Sequence, residues 1–194
     1  MTRATYADVF RPTEGRYLWL YDLLLILGGS LLIGLSAQVA IPLPFSPVPI
    51  TGQTFAVLLA GALLGSRRGS LCVLTYLAEG LAGLPVFVGT GGIGHFLGPT
   101  GGYLIGFVVA AYAVGQLAER GWDKRFITSL LAMLLGNVVI YTVGLLWLSR
   151  FVGAERVLTL GLYPFVIGDL LKIALATGLL PIGWKVLNSK HSNS

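Results

Sequence analysis

Apolar residues in this chain fall into long runs, each closed by a short polar stretch or by a segment rich in glycine and proline. A hydrocarbon core about 30 Å thick takes about 20 helical residues, so such runs can be read directly as membrane spans. The pattern predicts helices over 18–41, 51–65, 69–87, 102–118, 126–149 and 164–187. The second run has only 15 residues, and the third carries Glu79 and several glycines, so both are expected to tilt or to pack against neighbours rather than face lipid. The fold class that follows is an all-α integral membrane protein with six spans. It divides into an N-terminal segment over 1–17, a membrane domain over 18–187 and a C-terminal tail over 188–194.

Composition supports this reading. Of 194 residues, 55% are hydrophobic and 11% charged, against about 25% charged in a soluble domain. Mean hydropathy is +0.83, as expected of a polytopic membrane protein. The opening MTRATYADVFRPTEGRY is polar and charged for 16 residues, unlike the short basic start of a cleaved signal peptide, so the first span is expected to be retained. The single cysteine, Cys72, lies in an apolar run and reads as a packing residue.

The net charge of +5 is scattered between apolar runs rather than laid along one stripe, which argues against nucleic acid and for membrane topology. Placing the N-terminus in the cytoplasm puts Arg3, Arg11, Arg16, Arg67, Arg68, Arg120, Lys124, Arg125, Lys185 and Lys190 inside, against Arg150 and Arg156 outside. Ten against two fixes the expected orientation, with both termini cytoplasmic. The remaining basic residue, Lys172, then lies in the outer half of the last span. The external connections are longer and nearly free of lysine, so candidate chemistry concentrates on the outer face.

Asp169 and Lys172, three residues apart in the apolar run PFVIGDLLKIALATGLLPIGW, share a helix face and can pair. Ionisable groups at membrane depth are costly and usually face a cavity, a partner or a substrate path. Here the pair sits about six residues in from the outer end. The loop GTGGIGHFLGPTGGY over 89–103 holds seven glycines in 15 residues, which brings backbone groups close to a ligand. It lacks the Lys-Ser or Lys-Thr of a phosphate loop. Thr90, Thr100 and Tyr103 are hydrogen-bonding candidates there, and His95, without Cys or Asp at ligand spacing, points to a pocket mouth rather than a metal. Thr51, Gly52 and Gln53 open the second span, where they can cap the helix or reach a ligand. Asn137 and Tyr141, four apart, can line the same cavity as Asp169, and Glu79 is expected to be protonated or interfacial. Trp147 and Tyr163 near span ends read as interfacial anchors. Ser30 with Gly34, and Ser36 with Ala40, form small-residue pairs on the first span that let another helix approach, whether internal or from a second protein. No nucleophile stands beside a histidine and an acid in a catalytic pattern, so no enzyme is expected, nor any cofactor, nor ATP hydrolysis by the chain itself. Two other classes, a lipid-modifying membrane enzyme and a ligand-free structural protein, remain alternatives to ligand binding.

Taken together, PVPITGQTFAVLLAGALLGSRRG, YLAEGLAGLPVF, GPTGGYLIGF, GNVVIYTVGLLWL and PFVIGDLLK, in this order and spacing, resemble the biotin-specific S components (BioY) of energy-coupling factor transporters. The resemblance spans roughly 18–187. It implies a compact bundle of six transmembrane helices in the cell membrane that captures biotin from outside, in a pocket beneath the outer loops. It implies Asp169 and Lys172 as ligand contacts, with Asp169 accepting from the ureido N–H groups and Lys172 either orienting Asp169 or donating to the ligand. The wider ligand-binding set then comprises Thr90, Gly91, Tyr103, Gln53, Asn137 and Tyr141, with the glycine-rich loop closing over the bicycle. In some relatives that loop contributes an amide side chain, where this chain has Thr90, Gly91 and Gly92. The family also implies a membrane-embedded T component and two cytoplasmic ATPases as partners, with Ser30, Gly34, Ser36 and Ala40 as the docking row. Action without a dedicated module, or specificity for another small vitamin, are the alternatives it leaves open.

Overall fold

The computed structural model describes residues 5–12 and 14–191; Arg3 and the end of the tail over 192–194 lie outside the described residues. A four-residue helix α1 (Tyr6–Val9) precedes the long helix α2 (Leu18–Gln38). Two short strands, β1 (Ala40–Ile41) and β2 (Ile50–Thr51), pair antiparallel with Ala40 opposite Thr51. There follow α3 (Gln53–Leu81), the short α4 (Ile93–Phe96), α5 (Gly101–Glu119), α6 (Phe126–Val152), the short α7 (Val157–Gly161) and α8 (Tyr163–His191).

By length and composition five of these helices can cross a membrane. The sixth predicted span is hidden inside α3, which reverses direction at Gly65. That residue has φ +86° and ψ 176°, a conformation open to glycine and strained for any L side chain. Beyond it the chain folds back: Gly69 lies against Gly61, and the Gln53 amide donates to the Tyr76 hydroxyl at 2.5 Å. In one continuous helix those two side chains would be about 35 Å apart. The arms over 53–64 and 66–81 are therefore antiparallel neighbours, which makes six apolar segments with α2, α5, α6 and α8. The first arm, about 18 Å long, is too short to cross a bilayer and packs inside the protein instead.

The core lies between α3 and α5. Ala110, Ala111 and Val114 of α5 are buried, and Gly115 lets the two helices touch so closely that a Cβ there would fall on the backbone of Ser66. By contrast α2 is apolar all round and buries only a narrow side, through Ser30, Ile33, Gly34 and Ala37, leaving Leu24, Leu31 and Leu35 exposed as a lipid-facing surface.

The two ends of the bundle differ in chemistry. One gathers the start of α2, the Gly65 turn, the end of α5 and the last turns of α8. There Arg68 pairs with Asp8 at 2.8 Å and Asp22 at 2.7 Å, and the Lys124 ammonium lies over the Trp184 ring. The N-terminal segment is tied into this end: the Tyr6 hydroxyl donates to the Leu180 carbonyl and Tyr21 to the Ala7 carbonyl. The helix boundaries differ from those expected. The first span ends at Gln38, because residues 40–41 enter the hairpin; the third ends at Leu81, because 82–92 form a loop; and α8 runs on to His191, taking in 188–191 that were expected in the tail. Polar residues stop the apolar pattern but not the backbone hydrogen bonding, so composition misplaces such ends.

Gly65→Ala should destabilise the protein by about 1–2 kcal/mol, from the positive φ alone, with a further clash against Glu119 Oε1. Gly15→Ala, which meets nothing within 4 Å, should be neutral. Unfolding midpoints in mixed detergent would measure both, and equal midpoints would remove the constraint assigned to the turn.

Candidate ligand-binding site

At the end of the bundle opposite the arginines, six parts of the chain converge on a cavity of about 580 Å³ counted out to its mouth. Its wall is largely aromatic: Phe87, Tyr103, Phe107, Tyr141 and Phe165, from the glycine-rich loop, α5, α6 and α8. At its polar side stand Asp169 and Lys172, six and nine residues into α8, so the carboxylate lies about 9 Å in from the helix start. One turn apart on α8, the two side chains turn inward together.

Asp169 is 5% exposed, and its charge is answered from three elements. Lys172 Nζ donates to Asp169 Oδ1 at 2.9 Å, to Thr54 Oγ1 at 3.0 Å and to the Thr51 carbonyl at 2.7 Å. Thr54 Oγ1 donates in turn to Asp169 Oδ1 at 3.2 Å, and the Tyr141 hydroxyl donates to Asp169 Oδ2. An ammonium has three donors, and all three are used within the protein. A carboxylate has about four acceptor positions. Oδ1 takes two donors and Oδ2 one, which leaves Oδ2 with room for a donor arriving from the cavity.

The other expected residues divide. Gln53 and Tyr103 line the cavity, but their polar groups are committed, Gln53 to Tyr76 and Thr51, and the Tyr103 hydroxyl to the Gly161 carbonyl at 2.8 Å. Asn137 does not reach this cavity. It sits one helical turn before Tyr141, in a cleft on the far side of Lys172, where its buried Oδ1 has no partner among the described residues. Thr90 and Gly91 also lie off the cavity wall. Thr90 is at the mouth, and Gly91 packs on the Leu84 carbonyl inside its own loop. Val88, His95 and Thr100 supply the wall there.

The residues of the expected docking row have partners within the chain. Ser30 and Gly34 are buried against the chain's own second arm of α3, where the Ser30 hydroxyl donates to Glu79 at 2.5 Å and Gly34 meets Val86 and Tyr76. Ser36 donates to the Ile33 carbonyl and backs onto Gly52, while Ala40 belongs to β1. Ser30 and Gly34 thus serve an internal helix contact, and the half-buried Glu79 carboxyl is answered there by a hydroxyl.

The glycine-rich loop is held shut by an aromatic stack. Phe87 is fully buried, its ring edge-on to Tyr76 at 5.4 Å and stacked with His95 at 5.3 Å. Thr90 Oγ1 contacts His95 Nδ1 at 3.1 Å and Thr100 Oγ1 contacts Nε2 at 3.4 Å, so one imidazole bridges the two ends of the loop. Thr54, Phe87, Phe165 and the Thr51 carbonyl were not expected at the site. Thr54 follows the predicted Thr-Gly-Gln trio and had a weak signal; a backbone carbonyl has none in a side-chain pattern.

Comparison with known proteins bears on the same region. A family model described as the BioY family matches residues 7–189. The probable biotin transporter BioY of Pyrococcus horikoshii is 44% identical over 146 residues, covering 75% of this chain and 85% of the relative. The biotin transporter BioY of Rhodobacter capsulatus is 41% identical over 166 residues, covering 78% of this chain and 85% of the relative. The 2.1 Å crystal structure of the S-component for biotin from an ECF-type ABC transporter superposes with a TM-score of 0.79 at 28% identity, over 90% of this chain and 95% of that one.

Burial lowers the His95 pKa from its ordinary value near 6.5. An opened loop binds the proton more readily than the closed one. The stability this residue lends to closure is therefore present above about pH 6.5 and lost as pH falls through the lower, closed-state value. Amide exchange over 87–100, corrected for intrinsic rates, should quicken from pH 7.5 to 5.5, and His95→Gln should abolish that pH dependence. An unchanged rate in the native chain would exclude His95 as the bridge.

Proposed function

The chain belongs to the BioY family, and on that premise we propose that it is the biotin-binding subunit of a vitamin uptake transporter, taking biotin into the aromatic cavity and passing it across the membrane. The observation that carries this reading is the buried Asp169 carboxylate, ordered by three protein donors yet left with one acceptor position toward an aromatic cavity. Biotin presents a neutral ureido ring with two N–H donors, fused to an apolar ring, and a valerate chain ending in a carboxylate. An N–H donor on a flat, otherwise apolar body suits an ionised acceptor among aromatic rings, because a charge-assisted hydrogen bond is strongest where water is excluded.

Lys172 acts in this reading as a positioning residue. Its donors are spent on Asp169, Thr54 and the Thr51 carbonyl, so it holds the carboxylate in place while the valerate chain extends toward the mouth near His95 and Thr100. The loop over 82–100 closes the cavity above the bicycle.

The uneven distribution of arginine and lysine supports a cytoplasmic location for the Arg68 end and for both termini, so that the cavity opens to the outside of the cell membrane. The chain carries no ATP-hydrolysing motif, and its solved relative is an S-component of an ECF-type ABC transporter. Both support delivery inward with a membrane-embedded T component and cytoplasmic ATPases. With Ser30 and Gly34 turned inward, the exposed leucine face of α2 is the surface left on that helix for such a partner.

Titration of the detergent-purified chain with biotin tests the reading. Asp169→Asn should weaken binding by about thirtyfold or more, since truncating a buried charged contact costs about 2–5 kcal/mol. Tyr141→Phe should weaken it by about tenfold, through loss of one hydrogen bond to a charged group. Unaltered affinity in Asp169→Asn would remove the site assignment.

The role of Lys172 is separable from that of Asp169. Biotin and biotin amide, compared in the native chain and in Lys172→Ala, form a double-mutant cycle. If Lys172 only positions Asp169, the affinity ratio of the two ligands is the same in both proteins. A ratio that collapses in the variant would instead put Lys172 on the valerate carboxylate.

A further inference from the structure

A second and wider concavity lies at the other, basic end. It is a crevice of about 1340 Å³ counted out to its mouth, against about 580 Å³ for the aromatic cavity. It opens between the N-terminal segment, α2, the Gly65 turn and the end of α5.

Its charges do not cancel locally. Arg68 engages Asp8 and Asp22 together, and Glu119 is spent on the Ser66 backbone N–H at 2.7 Å and hydroxyl at 2.8 Å, capping the second arm of α3. All three lining carboxylates therefore have partners. Arg11 reaches Asp22 only at 4.0 Å, and Arg67 and Arg120 are exposed, with no carboxylate at ion-pair distance among the described residues. The facing wall is apolar, through Ile26, Leu64 and Leu71. Leu71 is 45% exposed and Leu74, one turn along the same face, 47%, so this wall leads toward the surface that meets lipid.

Unpaired guanidinium groups beside an apolar wall continuous with the bilayer call for an amphipathic anion. We propose that this crevice binds the phosphodiester headgroup of an anionic phospholipid from the leaflet on the basic side, with Arg67 and Arg120 on the phosphate and an acyl chain along Leu71. The planar guanidinium fits phosphate oxygens two at a time. Basic pockets between membrane helices recognise such headgroups. Free inorganic phosphate offers the same oxygens but gains nothing from the leucine wall. By bridging the Gly65 turn and the end of α5, the lipid joins the two helices that form the core.

Native mass spectrometry of the full chain tests this with phosphatidylglycerol, phosphatidylcholine of the same acyl chains, and inorganic phosphate as separate additions. One equivalent of phosphatidylglycerol should be retained at least fivefold better than phosphatidylcholine, and that preference should vanish in Arg67→Gln/Arg120→Gln. Arg67→Lys/Arg120→Lys should keep part of it, which separates loss of charge from loss of fold, and the thermal midpoint of each variant without lipid checks folding independently. Equal retention of the two lipids by the native chain would overturn the proposal, as would an undiminished preference in the glutamine variant. An equal gain in thermal midpoint from inorganic phosphate alone would overturn the lipid assignment.

Discussion

A carboxylate and an ammonium inside an apolar bundle must find partners or lose their charge, and this requirement organises the outer half of the molecule. Removing either ion from water costs several kcal/mol, which a lone ion pair does not repay unless further hydrogen bonds complete its shell. Asp169 and Lys172 obtain that shell from the Thr51 carbonyl of β2, from Thr54 at the start of α3 and from Tyr141 on α6. Meeting the demand draws three elements together around α8 and builds the polar side of the cavity. The one acceptor position left over on Asp169 Oδ2 is the place where the bundle remains chemically incomplete.

The hairpin inside α3 makes this arrangement reachable. Thr51 and Thr54 can face α8 only because the first arm is short and starts at the loop end of the bundle. The reversal at Gly65 then returns the chain so that Tyr76 comes to support Gln53 and Phe87. Backbone contact at Gly61 and Gly115 holds this double layer against α5, and contact at Gly69 joins its two arms. In a bilayer apolar burial gives no net drive between helices, so close packing through small residues takes its place. The same logic explains the row on α2. Ser30 and Gly34 are small because the chain's own second arm approaches there, and the Ser30–Glu79 hydrogen bond satisfies an acid at that contact.

The two ends of the bundle carry complementary chemistry. The end with the cavity is walled by aromatic rings and covered by a glycine-rich loop that a stacked Phe87–His95 pair holds in place. The opposite end is tied through Arg68 to Asp8 and through Tyr6 to α8, so residues 5–12 belong to the folded body.

Sequence alone determined the membrane class, the six apolar segments, the Asp169–Lys172 pair and its depth, because each depends on composition along one dimension: run length against bilayer thickness, and helical spacing between two residues. The family followed from motif order. What tertiary structure decided was where each side chain turned. Asn137 and Tyr141 are indistinguishable by spacing, yet only Tyr141 reaches Asp169; Thr90 and Gly91 belong to the right loop but not to the wall; Ser30 and Gly34 face inward. These outcomes hinge on the rotation of each helix about its own axis, on the reversal at Gly65 and on one backbone carbonyl. None of the three leaves a trace in the apolar pattern, because packing between distant segments sets them.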